Sequence, residues 1–102
     1  MKESFKMRET TLEQAVYANQ KLFSDTYPFE IVKKISDKTI EVREMKAVLM
    51  EGDYDHQSWQ YNSEENNPIV RLRLRKKGGW KDKKGIHYNL DVEPMRYQDF
   101  SF

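Results

Sequence analysis

Three arginines in strict alternation, Arg71, Arg73 and Arg75, are the residues best spaced to do chemistry. Val70, Leu72 and Leu74 fill the positions between and around them. In an extended strand successive side chains point to opposite faces, so one face is apolar and the other carries three guanidinium groups about 6–7 Å apart. That spacing is close to the spacing of phosphates along an extended nucleic-acid strand. Lys76, Lys77, Lys81, Lys83 and Lys84 follow and extend the basic patch around a Gly78-Gly79 turn. Trp80 would stack on a base if exposed, and would plug one end of the core if buried. The competing reading of the row is a solvated face whose arginines pair with Glu41 and Glu44, or with Asp91 and Glu93.

Other reactive types lack the company that chemistry needs. Asp53, Asp55 and His56 offer oxygen and nitrogen ligands. No second dense ligand group joins them and the calcium-loop spacing is absent, so they read as a polar loop, with no metal and no cofactor implied. His87, between Ile86 and Tyr88, reads as a half-exposed surface residue. Ser24-Asp25 and Ser36-Asp37 read as turn formers. Nucleophilic catalysis requires a base and an oxyanion site beside the nucleophile, and no such grouping is visible. A nonenzymatic protein is expected.

Charge is unevenly distributed. Lysine and arginine number 18 against 17 acidic residues, a net charge of +1 that exerts little long-range pull on nucleic acid. Yet the stretch from 51 to 67 holds Glu51, Asp53, Asp55, Glu64 and Glu65 with no Lys or Arg. The two segments would neutralise each other if they lie together. Alternatively, the acidic stretch is a separate electrostatic contact for a partner. Arginine and aromatic residues are favoured interface anchors, and Arg73, Trp80, Tyr88 and Arg96 would serve if the fold gathers them on one side. Homodimerisation through an uncovered sheet edge is a further route.

The elements that must position these groups are mostly strands. Thr11 and Gln14 match a capping box, predicting one short N-terminal helix after a loose arm over residues 1–10. Pro28 interrupts the next stretch. Residues 29–35 and 39–49 read as a hairpin around Ser36-Asp37-Lys38, with Ile40 and Val42 inward and Glu41 and Arg43 outward. Trp59 and Tyr61 share a side and anchor a loop or short edge strand. Residues 69–75, a strand begun by Trp80, and the alternating Ile86, Tyr88 and Leu90 complete the set. The aromatic ending Tyr97, Phe100 and Phe102 is expected to close one end of the core.

A chain of 102 residues supports one domain, here residues 11–102. Short strands without crossover helices favour a mainly β domain: a curled antiparallel sheet or a small SH3-like barrel. The chain has no cysteine, no apolar run near the ~20 residues of a membrane helix, and no apolar core of a secretion signal at its start. A cytoplasmic protein without membrane contact is expected.

Leu22-Phe23-Ser24-Asp25-Thr26-Tyr27-Pro28-Phe29-Glu30-Ile31-Val32, then Ile35-Ser36-Asp37-Lys38-Thr39-Ile40-Glu41-Val42, resembles a widespread group of small uncharacterised proteins encoded by phages and mobile elements. Arg71-Leu72-Arg73, Lys76-Lys77-Gly78-Gly79-Trp80 and the ending Tyr97-Gln98-Asp99-Phe100-Ser101-Phe102 resemble its basic strand, Gly-Trp turn and aromatic tail. The departure is Glu13-Gln14-Ala15-Val16, where that group more often carries glycines. The resemblance transfers no catalytic residue. It implies an accessory role, with blocking of a host protein, such as a defence protein, as the expected function; nucleic-acid binding through Arg71, Arg73, Arg75 and the Lys-rich hairpin is the alternative that the residues themselves offer.

Overall fold

The computed structural model describes residues 10–52 and 57–98. Nine strands follow one another: β1 (Tyr17–Lys21), β2 (Thr26–Tyr27), β3 (Phe29–Ser36), β4 (Thr39–Glu44), β5 (Lys46–Gly52), β6 (Gln57–Asn62), β7 (Ile69–Arg75), β8 (Gly79–Lys81) and β9 (His87–Asp91). They build an antiparallel barrel, β1-β3-β4-β7-β8-β9, that closes where β9 pairs with β1 along its whole length, Tyr17 with Asp91 through Lys21 with His87.

β2 is the continuation of β3. The pairs Tyr17 with Glu30, Gln20 with Tyr27 and Lys21 with Thr26 lie in one register. Pro28 sits between them. It has no N–H to give the ladder, and its carbonyl instead accepts from Met45 N at 3.0 Å.

Alternation places Ala18, Phe29, Ile40, Val42, Leu72, Trp80 and Tyr88 inside, where they form the core. Phe29 meets Tyr88 edge-on, with ring centres 5.2 Å apart, a favoured aromatic geometry. The inward positions of Ile40 and Val42 are as the sequence predicts.

Two expectations need correction. No helix forms among the described residues. Thr11 and Gln14 do exchange capping bonds, Gln14 N to Thr11 Oγ1 at 3.3 Å and Thr11 N to Gln14 Oε1 at 3.5 Å, but they close a single turn. Val16 N already donates to the Asp91 carbonyl, so strand pairing claims the backbone that a helix would need.

Residues 39–49 are not one strand. The chain leaves the barrel at the buried Met45, and β5 pairs with β6 in a separate two-stranded sheet. That hairpin is tied back by the last described residues. Gln57 and Gln98 exchange two bonds, and Arg96 N donates to the Tyr61 hydroxyl at 2.8 Å.

Among the described strands the barrel closes where β1 and β9 meet, and uncovered sheet edges belong to β5 and β6. The expected arm lies, apart from Thr10, outside the described residues, as do Phe100 and Phe102.

Candidate anion-binding face

β7 runs between β4 and β8, and its register decides which arginine meets an acid. Arg71 is opposite Glu41, Arg73 is opposite Thr39, and Arg75 lies beyond the last β4 pair. The consequence is visible in the side chains. Arg71 Nη2 donates to Glu41 Oε2 at 2.9 Å. Arg73 and Arg75 are exposed and have no acid within ion-pair distance among the described residues. The exposed Arg71 pair adds only ~0–1 kcal/mol.

On the other side of β7, Arg73 is opposite Lys81 and Arg75 is opposite Gly79. Arg71, Arg73, Arg75, Lys81, Asp82 and Lys83 line one concavity of about 340 Å³. Its single acid is committed elsewhere. Asp82 Oδ1 accepts from Lys84 N at 2.9 Å and Ile86 N at 3.0 Å, and Oδ2 accepts from the Tyr88 hydroxyl at 3.0 Å. These bonds close the β8–β9 turn, and neither Lys81 nor Lys83 forms an ion pair among the described residues. Lys76 and Lys77 are exposed at the β7–β8 turn.

Tyr88 is almost fully buried, and burial is the main reason its hydroxyl ionises well above the usual tyrosine range. The Gln20 amide donating to it works the other way, while the Asp82 carboxylate reinforces the rise. A neutral Tyr88 is what the Asp82 bond requires.

Several expected site residues lie elsewhere. Trp80 is 8% exposed and belongs to the core, as does Tyr88. The inward alternation of β8 and β9 puts them there, so the grouping of Arg73, Trp80, Tyr88 and Arg96 on one surface does not form. Arg96 is stacked between the rings of Tyr27, 4.2 Å from its guanidinium carbon, and Trp59, at 5.1 Å. Its role is to hold the β5–β6 hairpin against the barrel.

Glu51, Glu64 and Glu65 make no ion pair with the basic segment among the described residues. Asp53, Asp55 and His56 lie outside the described residues.

Sequence reasoning missed Lys21 and the part played by His87. Both lie on the outer face: His87 pairs with Lys81 on one side and with Lys21 on the other. The signal was strand register, which only the closed ring supplies.

The fold and this face define a small closed β-barrel with a cationic outer surface. Comparison with protein-family models, with curated proteins and with solved structures returns no match. No helix among the described residues is long and apolar enough to cross a membrane.

Proposed function

We propose that this chain is a nonenzymatic binding protein whose β7–β8 face takes the phosphate backbone of a nucleic acid. One observation carries the reading: Arg73 and Arg75 stand exposed in a row without acid partners among the described residues, over a concavity shared with Lys81 and Lys83. Guanidinium groups suit phosphate because they donate in a planar fork. With Trp80 buried, this face offers charge and hydrogen bonds rather than a tryptophan stacking platform, so binding is directed at the backbone and not at base identity. The test is titration of a labelled oligonucleotide with wild type and with Arg73→Ser/Arg75→Ser. Unchanged affinity in the variant would remove the reading.

A second reading is a phage-type accessory protein that blocks a host protein, for instance one of a defence system. The exposed Val48, Leu49 and Met50 favour it, because they lie on a hairpin outside the barrel where they add nothing to the core. A host protein captured by wild type and lost with Leu49→Ser/Met50→Ser would support it.

A further inference from the structure

We infer that a single nucleic-acid strand crosses the barrel strands over a row of four side chains, Arg73, Lys81, His87 and Lys21, instead of following β7 alone. This inference rests on the nucleic-acid reading above and names the path of the ligand.

Four strands contribute one residue each. Arg73 of β7 pairs with Lys81 of β8, Lys81 with His87 of β9, and His87 with Lys21 of β1. All four sit on the outer face, because the positions next to them, Leu72, Trp80, Tyr88 and the Ala18 side of β1, point inward. Three interstrand steps of ~4.8 Å make a row about 14 Å long. The neighbours at its two ends are neutral: Thr39 beyond Arg73 and Thr26 beyond Lys21. No acid interrupts it.

The Gly78-Gly79 turn shapes the middle of the row. A Cβ on Gly78 would lie 2.9 Å from Lys81 Nζ, and a Cβ on Gly79 would lie 3.0 Å from His87 Cε1. Both glycines have positive φ, 100° and 70°. The turn therefore makes room for the two side chains by having none of its own. His87 is held on both sides, Nδ1 2.8 Å from the Gly78 carbonyl oxygen and Nε2 2.9 Å from Asn89 Oδ1. These two contacts fix the orientation of the ring on the outer face. Lys21 Nζ donates to the neutral Thr26 Oγ1 at 3.1 Å and keeps its charge unneutralised there.

Two concavities flank the row: Lys81 lines the first, and Asp91 is the one acid lining the second. The first is the arginine-lined concavity of β7. The second, of about 590 Å³, is lined by Lys21, Gly79 and His87 among others. A path over both bends around the barrel. A flexible single strand follows such a bend, whereas a duplex with a persistence length of about 150 base pairs touches a small barrel along one line only.

The experiment measures binding of a labelled 15-nucleotide oligothymidylate at low salt, by anisotropy. Wild type, Lys21→Ser/His87→Gln, Lys21→Glu, Arg73→Ser/Arg75→Ser and the β5 control Lys46→Ser are compared after thermal melts confirm folding. Roughly tenfold weaker binding is expected for Lys21→Ser/His87→Gln, the scale of one lost charged hydrogen bond, with a larger loss for Lys21→Glu and none for Lys46→Ser. If Lys21→Glu folds and binds as wild type does while the arginine variant is impaired, the crossing path is wrong and the nucleic-acid reading stands. If wild type binds no oligothymidylate, both are wrong.

Discussion

The Tyr88 hydroxyl donates to Asp82 Oδ2 at 3.0 Å, joining a buried tyrosine of β9 to the acid that follows β8. This bond links stability to the surface outside. It fixes in the turn a carboxylate that lines the same concavity as Lys81 and Lys83 and forms no ion pair with either among the described residues. The same hydroxyl also serves a part-buried group, since Gln20 Nε2 donates to its oxygen at 2.9 Å.

Tyr88→Phe is therefore expected to destabilise the fold by about 1–3 kcal/mol, the cost of stranding a buried acceptor, read as a lower denaturation midpoint. The pH dependence has a definite sign. Folding raises the ionisation of Tyr88 above the ordinary value of 10.0. Its contribution is fully present below about pH 10 and declines as pH rises beyond it. Wild type should lose stability more steeply than Tyr88→Phe above pH 10. Tyr61, also raised by burial, leaves a smaller alkaline slope in the variant. Parallel alkaline slopes would show that Tyr88 is not the linked group.

Leu72 and Leu74 share the inner face of β7 but lie at different depths. Leu72 is 0% exposed and Leu74 is 39% exposed. Leu72→Ala should cost about 2–5 kcal/mol, while Leu74→Ala should cost clearly less because less surface leaves water on folding. Equal losses in urea denaturation would mean that the strand's apolar face is wrongly placed.

Arg96 is the clasp of the β5–β6 hairpin. Its guanidinium lies between the Tyr27 and Trp59 rings, and Nη1 donates to the Thr26 carbonyl at 3.3 Å. Cation–π contacts contribute about 0.5–2 kcal/mol each. Arg96→Ala should speed amide exchange in β5 and β6 by roughly tenfold or more while β4, β7 and β9 remain protected. Uniform loss of protection would show that the hairpin and barrel unfold as one unit.

Gly79 adopts φ of 70° and its missing Cβ makes room for His87. Gly79→Ala should cost about 1–2 kcal/mol from backbone conformation alone, and it should shift the His87 ring resonances in NMR spectra. A neutral effect on both would remove the steric role assigned to this turn.

Much of the barrel was legible locally. Period-two alternation on β7 and β4 identified both strands and their inner faces, because each strand has one wet face. The break at Met45 was not legible: apolar residues continue from Met45 into Val48, Leu49 and Met50, so nothing in the pattern marks the exit from the barrel. Thr11 and Gln14 carried a true capping signal, but strand pairing of the following residues overrode it. The arginine row was visible as a row. Which arginine stays open was not, because that depends on the β4–β7 register that sets Glu41 against Arg71 and Thr39 against Arg73. Trp80 and Arg96 were misplaced for a related reason: residue type alone does not say which face of a closed ring a side chain occupies.

Salt dependence of oligonucleotide binding tests the basic face most directly. For wild type, the logarithm of the affinity for oligothymidylate should fall linearly with the logarithm of salt concentration. Arg73→Ser/Arg75→Ser should reduce that slope by about 1.4, given ~0.7 per phosphate neutralised on a single strand. A slope identical in both proteins, or affinity indifferent to salt, would contradict phosphate binding at these two arginines.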